Sequence, residues 1–125
     1  MSEKKQVLIV DDDSRNIFAL KATLKSKGIP CLSVMDAREV LPLLETDKGI
    51  GVVLMDMMMP EMDGYETIAH IRAQSTLTGL PIIAVTAQAM VGDREKCLAA
   101  GADDYISKPI DVDLLMEKLN HYLRK

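Results

Sequence analysis

Glycine and proline are scarce in this sequence, at seven and five residues, and no low-complexity segment interrupts it. With 48% hydrophobic and 27% charged residues, the composition is that of a globular protein and excludes a disordered one. The two cysteines, Cys31 and Cys97, match no metal-ligand spacing, so we interpret both as reduced thiols of a cytosolic protein. The GxSxG, Walker and HExxH motifs are also absent, which excludes the enzyme classes that depend on them.

Long apolar runs and an excess of positive charge are likewise missing. The polar amino terminus leads directly into a strand-like run, so we expect no signal peptide, no membrane-spanning helix and a cytoplasmic location. The net charge of −4 argues against a nucleic-acid-binding surface, which needs clustered lysine and arginine. The length of 125 residues fits one domain, 1–125.

Short runs rich in valine, isoleucine and leucine alternate with segments of helical period along the chain. This alternation predicts an α/β fold, in which a doubly wound parallel sheet of five strands lies between two layers of helices. The predicted strands contain residues 7–10, 31–34, 52–55, 82–85 and 105–106.

Five helices are expected to connect and cover these strands. The first is predicted over residues 14–27, and the second, after Asp36, contains Pro42, which should kink it or shift its start. The fourth, over about residues 90–100, has few apolar anchors, so we expect it to be weakly held and mobile. The last helix follows Asp111 and carries an apolar stripe of Val112, Leu115, Leu119 and Tyr122.

Polar side chains follow the ends of four predicted strands. Three aspartates, residues 11–13, follow the first strand, and Asp56, Thr86 and Lys108 follow the third, fourth and fifth. Because the carboxyl ends of parallel strands meet at one edge of the sheet, we expect these groups to lie together there. Open α/β sheets bind their ligands at that edge.

The chemistry of these groups suits a divalent cation and a phosphoryl group. Carboxylates held close together repel, so such a cluster either binds protons or holds a cation. Magnesium prefers one or two carboxylates with water and phosphate, which Asp12 and Asp56 with a backbone carbonyl would supply. Residues 11–16 lack the glycine and glutamate of a calcium loop, so calcium fits less well. A carboxylate can also attack phosphorus, and Lys108 and Thr86 could then bind the phosphoryl oxygens.

Four segments stand in order along the chain: Val10-Asp11-Asp12, residues 56–64 (DMMMPEMDG), Val85-Thr86-Ala87 and residues 100–109 (AGADDYISKP). Together they resemble the response-regulator receiver domains of two-component signalling, and the resemblance covers essentially the whole chain. It implies the flavodoxin-like receiver fold, with strand order 2-1-3-4-5.

The resemblance also assigns the phosphoacceptor and the metal site. It implies that Asp56 accepts a phosphoryl group in a magnesium-dependent reaction, with Mn²⁺ as an alternative to Mg²⁺. The implied metal ligands are Asp11, Asp12, Asp56 and the backbone carbonyl of Met58.

A conformational switch is implied by the same resemblance. Thr86 and Lys108 would contact the phosphoryl oxygens, and Tyr105 would swing inward when Thr86 is drawn toward them. The bond between Lys108 and Pro109 is expected to be cis, an isomer that is otherwise a minority state. Phosphorylation would then shift the population toward a conformer that presents helix four, strand five and helix five to a protein partner.

The implied partners are a histidine kinase or histidine phosphotransfer protein as donor and an unidentified protein as target. Residues 1–125 would hold the receiver domain with no output domain, as a stand-alone receiver or one cut from a larger protein. The chain would be a phosphoacceptor switch, not an enzyme, and would catalyse only its own phosphorylation and dephosphorylation. Met58 and Gln88 occupy positions that flank the path of the hydrolytic water in the family. Because Met58 is bulky and apolar, we expect slow dephosphorylation.

Two other functions compete with this interpretation. The apolar strand followed by residues 11–13 also fits a haloacid-dehalogenase-type phosphatase, with Asp11 as nucleophile and Asp13 as general acid. Such enzymes usually need a longer chain, and they do not require the pattern around Asp56. The third interpretation is a receiver-shaped interaction module that needs no phosphate, which the complete set of polar groups argues against.

Overall fold

The computed structural model of the protein describes residues 5–58, 64–87 and 92–123. Five parallel strands form one sheet in the order β2-β1-β3-β4-β5, which confirms the predicted α/β fold and strand order. The strands are β1 (Gln6–Val10), β2 (Cys31–Val34), β3 (Ile50–Asp56), β4 (Ile82–Thr86) and β5 (Asp104–Ser107).

Helices cover both faces of the sheet, and two short 3₁₀ turns, Ala37–Glu39 and Ser75–Leu77, lie between elements. None of the helices in the described ranges has the length and apolar character needed to cross a membrane. The helices are α1 (Ser14–Ser26), α2 (Val40–Thr46), α3 (Gly64–Arg72), α4 (Asp93–Ala100) and α5 (Val112–Leu123).

Pro42 shifts the start of the second helix, as its position in the sequence predicts. A 3₁₀ turn over Ala37–Glu39 follows Asp36, and α2 begins only at Val40. Pro42 is thus the third helical residue, where a backbone N–H has no partner within the helix. The fourth helix is described from Asp93, and its predicted first residue, Met90, lies outside the described residues.

The side chains of each strand alternate between two cores, one on each face of the sheet. Leu8, Val53 and Ile82 belong to the core that packs against α2, α3 and α4. Ile9 and Leu54 belong to the core that packs against α1 and α5. All seven residues of the central strand β3 are buried, which explains its continuous apolar sequence.

The apolar stripe predicted for the last helix is only partly correct. Leu115 and Leu119 are fully buried, and Tyr122 packs against the same core. Val112, by contrast, is 40% exposed, so it is not a core residue. It is the first residue of α5, at the carboxyl edge of the sheet, where the helix has not yet come to lie over the strands.

Arg72, the last residue of α3, ties several segments together at the amino edge of the sheet. Its guanidinium donates to the carbonyl of Gly101 at 2.9 Å and to the carbonyl of Leu80 at 2.7 Å. It also pairs with Asp103 at 2.8 Å, and the same carboxylate oxygen accepts the backbone N–H of Ile82 at 2.8 Å. The starts of β4 and β5 and the end of α4 are therefore fixed to α3.

Truncation of Leu119 tests the packing of α5 against the sheet. Leu119→Ala should lower the free energy of unfolding by about 2–5 kcal/mol, because it leaves a cavity in a fully buried site. Leu114→Ala, on the same helix, is the matched control, since Leu114 is 40% exposed and its loss should cost about 0.5 kcal/mol or less. Urea unfolding of both variants makes the comparison, and equal losses would contradict this packing.

Candidate functional site at the carboxyl edge of the sheet

The structure brings the predicted polar groups together at one edge of the sheet. Asp11 directly follows β1, Asp56 and Thr86 are the last residues of β3 and β4, and Lys108 directly follows β5. Backbone bonds extend the strand ladder through this edge, since the N–H of Lys108 donates to the carbonyl of Thr86 at 2.8 Å. The parallel register therefore brings these four residues to the same edge of the sheet.

Three carboxylates form the acidic part of the site. Asp11 and Asp56 are each only 4% exposed, whereas Asp12 is exposed to solvent. One carboxylate oxygen from each of the three lies within 4.8 Å of the others. An octahedral ion with ligands at roughly 2.0–2.1 Å needs neighbouring oxygens about 3 Å apart and opposite ones about 4 Å apart. The three carboxylates therefore fit a magnesium ion after a small contraction, and manganese, which prefers the same ligands, fits as well.

Lys108 is the cationic member of the site. Its Nζ lies 3.8 Å from Oδ2 of Asp11 and 3.8 Å from Oδ1 of Asp56, so it neutralises part of the charge of both carboxylates. The bond between Lys108 and Pro109 is cis, the isomer that the resemblance implies. When all three carboxylates are ionised, the site keeps a net charge of about −2, which favours the binding of a divalent cation.

Burial raises the pKa of the Asp56 carboxyl, because removal from water disfavours its charged form. The negative charge of Asp11 acts in the same direction. The backbone N–H of Met58, which donates to Oδ1 of Asp56 at 3.0 Å, and the ammonium of Lys108 oppose the rise. Asp56 is thus a partly desolvated carboxylate with few fixed donors, which is a reactive state for an oxygen nucleophile.

Asp13 has a structural role at the start of α1. Its carboxylate accepts the backbone N–H of Arg15 at 2.9 Å and caps the helix. This hydrogen bond holds the pKa of the Asp13 carboxyl below its usual value. The backbone N–H of Asp13 donates to Oδ1 of Asp11 at 2.9 Å, so the turn also orients the first metal-ligand candidate. From the sequence, Asp13 is interpreted as one of the strand-end carboxylates and as the general acid of the phosphatase alternative. The cap was not predicted, although an aspartate directly before a helical period is typical of one.

Two residues of the predicted switch lie on β4 and β5. Thr86 is 1% exposed and belongs to the site edge. Tyr105 is partly buried and packs against the core on the side of α2, α3 and α4. It pairs in register with Ala84, two residues before Thr86 on the neighbouring strand. Gln88 lies outside the described residues.

Gly64 allows α3 to begin directly beside the site. A Cβ atom at this position would lie 2.7 Å from Cα of Met57 and 2.8 Å from the carbonyl oxygen of Asp56. Any larger residue would push the start of α3 away from the strand that ends in Asp56. The preceding residues of the motif, 59–63, lie outside the described residues.

Comparison with known families and curated proteins gives a consistent result. The family model for the response regulator receiver domain matches residues 7–120. The polar-differentiation response regulator DivK of Brucella anthropi is 34% identical over 119 residues, which cover 95% of this chain and 96% of that protein. The chain spans only 7% to 51% of the length of several other curated relatives that it matches, among them histidine kinases.

Solved structures with the same fold include two that bear on the site. The receiver domain of the sensor histidine kinase PA1611 from Pseudomonas aeruginosa has a magnesium ion coordinated in its active site cleft. It is 35% identical to this chain, with a TM-score of 0.88, and the match covers 98% of this chain and 100% of that one. The other is a co-crystal structure of the Saccharomyces cerevisiae histidine phosphotransfer protein Ypd1 with the receiver domain of its downstream response regulator Ssk1. Its match has 26% identity and a TM-score of 0.86, and it covers 98% of this chain and 90% of that one.

The environment of Asp56 predicts how stability depends on pH when no divalent cation is present. Because burial raises the pKa of Asp56 in the folded state, its stabilising contribution is present at low pH and is lost as the pH rises through that pKa. Asp56→Asn should therefore gain stability relative to wild type between about pH 4 and pH 7. Urea unfolding in EDTA at a series of pH values measures the difference.

Asp36→Asn is the control for this experiment. The guanidinium of Arg38 lowers the pKa of Asp36 to about 2. Asp36 therefore contributes stability above its unfolded-state pKa, and this contribution is lost only as the pH falls toward 2. The difference between wild type and Asp36→Asn should stay nearly constant between about pH 4 and pH 7. A relative stability of Asp56→Asn that falls as the pH rises would contradict the assigned environment of Asp56.

Proposed function

Because the chain belongs to the response regulator receiver domain family, we propose that Asp56 accepts a phosphoryl group from a phosphohistidine on another protein. Receiver domains of this family are the phosphoacceptor switches of two-component signalling. The observation that carries the proposal is the position of the buried Asp56 carboxylate, 3.8 Å from the ammonium of Lys108 and close to the carboxylates of Asp11 and Asp12. Residues 1–125 would form one receiver domain.

The transfer is a displacement at phosphorus. A carboxylate oxygen of Asp56 forms the new P–O bond, the P–N bond to the donor imidazole breaks, and the imidazole takes up a proton from solvent. Lys108 offsets the negative charge of the phosphoryl oxygens from one side, and the hydroxyl of Thr86 donates to another of these oxygens. Asp56 is almost fully buried, so bulk water has little access to its carboxylate.

Magnesium is proposed as the cofactor of this reaction. Asp11, Asp12, Asp56 and the backbone carbonyl of Met58 would hold it, since the N–H of Met58 already fixes that segment to the Asp56 carboxylate. When bound, the ion supplies positive charge that offsets the carboxylates and the incoming phosphoryl oxygens. The magnesium in the PA1611 receiver supports this assignment by likeness.

The donor is proposed to be a histidine kinase or a histidine phosphotransfer protein. The crystallised pair of Ypd1 and the Ssk1 receiver domain supports the second choice by likeness. The output is proposed to be a population shift in which Thr86, Tyr105 and α4 repack and a downstream protein binds the face formed by α4, β5 and α5. Lys118 pairs with Asp104 at 2.9 Å, which joins α5 to β5 into one unit on this face.

The contacts of Asp13 argue against the phosphatase alternative, because they engage one of the two catalytic groups that it needs. Its general acid would be Asp13, but that carboxylate is occupied as the cap of α1. Its nucleophile would be Asp11, whose Oδ1 accepts the N–H of Asp13. Asp56, by contrast, is a buried carboxylate next to Lys108 within the acidic cluster, which supports the phosphoacceptor role.

Phosphorylation by a small donor tests the proposal directly. The intact mass of wild type should increase by one phosphoryl group after incubation with acetyl phosphate and magnesium, and no increase should occur in EDTA. Asp56→Asn should show no increase, because it lacks the nucleophile, and Asp36→Asn, an aspartate variant outside the three-carboxylate cluster, should behave as wild type. Peptide mapping of the labelled protein after borohydride reduction should place the modification on Asp56, and a label on Asp11 would instead support the phosphatase.

The half-exposed Met58 side chain predicts a long-lived phosphorylated state. An apolar thioether cannot orient an attacking water, whereas an amide can both donate to and accept from one. Met58→Asn should therefore dephosphorylate several-fold faster than wild type, while Met58→Leu should resemble it. Decay of the phosphorylated species, followed by mass spectrometry after removal of the donor, gives the rates. Faster decay of Met58→Leu than of Met58→Asn would contradict this account.

A further inference from the structure

Tyr65, the second residue of α3, makes three contacts with α4. Its hydroxyl lies 3.4 Å from Oδ1 of Asp93 and 3.9 Å from Sγ of Cys97. The ammonium of Lys96 lies over its ring, 4.7 Å from the centroid. These partners are spaced i, i+3 and i+4, so they lie on one face of the helix and surround the Tyr65 side chain.

This contact joins the two chain segments that leave the proposed phosphorylation site. α3 follows β3, which ends in Asp56, and α4 follows β4, which ends in Thr86. Tyr65 lies at the start of α3, and Asp93 is the first residue of α4. A change in the distance between these two segments at the site would therefore change the length of the hydrogen bond between Tyr65 and Asp93.

The carboxyl end of α4 is held firmly by the fold. The carbonyl of Gly101 accepts from Arg72 at 2.9 Å, and the N–H of Ala102 donates to the carbonyl of Cys97 at 3.2 Å. Gly101 has φ +121°, and a Cβ atom there would lie 2.9 Å from Cγ of Arg72. Only glycine fits this junction. Because this end is held by Arg72, any movement of α4 would displace its amino end most.

At the amino end, the carboxylate of Asp93 is incompletely satisfied. Its Oδ2 is buried and has no hydrogen-bond partner among the described residues. A buried carboxylate oxygen without a partner is unfavourable, and outward movement of the helix would expose it to water. The hydroxyl of Tyr65 supports the other oxygen of the same group. Burial and the neighbouring Cys97 and Asp93 raise the pKa of the Tyr65 hydroxyl, so it keeps its proton and can donate.

We propose that Tyr65 is a positioning residue whose hydrogen bond to Asp93 holds the amino end of α4 in the unphosphorylated arrangement. The inference rests on the proposed function, because it assigns a regulatory element to the same site. If this bond breaks when α4 moves, loss of the hydroxyl destabilises the resting arrangement alone and favours the switched conformer. By linkage, ligands that bind the switched conformer better then bind more tightly.

Hydrogen exchange of the unligated protein is the first test. Tyr65→Phe keeps the ring, its packing and the contact with Lys96, and it removes only the hydroxyl. The backbone N–H of Lys96, which donates to the carbonyl of Gly92 at 3.0 Å and closes the first turn of α4, should exchange faster in this variant. Tyr122→Phe is the matched control, since the Tyr122 hydroxyl contacts Asp103 and Asp104 on the β5 side. Unchanged exchange in Tyr65→Phe, or an equal change in Tyr122→Phe, would overturn the proposal.

Titration with beryllofluoride and magnesium is the second test, because this anion mimics a phosphoryl group on a carboxylate. The dissociation constant measured by calorimetry should fall roughly two- to tenfold in Tyr65→Phe and stay unchanged in Tyr122→Phe. Equal affinity of wild type and Tyr65→Phe would overturn the proposal. If wild type binds no beryllofluoride, the proposed function itself fails, and the exchange experiment still decides whether Tyr65 holds α4.

Discussion

Repulsion between two buried carboxylates is the constraint on which the rest of this structure depends. Asp11 and Asp56 sit almost out of contact with water at the end of adjacent strands, with one ammonium 3.8 Å from each. Such an arrangement is unfavourable by itself, and the folded sheet tolerates it because burial of the surrounding strands supplies the necessary free energy. Binding of a cation, or of a phosphoryl group with its metal, would offset this cost, which is consistent with the proposed function.

The charged groups lie at the carboxyl edge of the sheet, and contacts at the opposite, amino edge hold helices in place. At the amino edge, Arg72 gathers the carbonyls and the carboxylate that begin β4 and β5 and end α4. At the carboxyl edge, the helices start beside the charged groups, and the described contacts there include the 3.4 Å bond from Tyr65 to Asp93. The charged site thus lies at the carboxyl edge, where open α/β sheets bind their ligands.

The strands, the fold class and the edge of the sheet where the site lies could be predicted from the sequence. The hydrophobic period identifies each strand, and the carboxyl ends of parallel strands meet at one edge, so polar residues that follow the strands come together there. The strand order and the cis bond at Pro109 came from the resemblance and not from the residues alone. Val112 was misassigned because a helical stripe shows which face is apolar, but not where along the helix the sheet begins to cover it. The Tyr65 contacts could not be predicted, since they join two helices whose relative placement depends on the whole fold.

Alternation of the strand side chains between two cores limits where residues can be inserted into or deleted from this chain. Adjacent residues in β3, such as Val53 and Leu54, belong to different helical layers. Inserting or deleting one residue within a strand would exchange the two layers for every residue that follows, and it would also turn Asp56 away from its neighbours. Viable length variation is thereby confined to the connections between the strands and the helices.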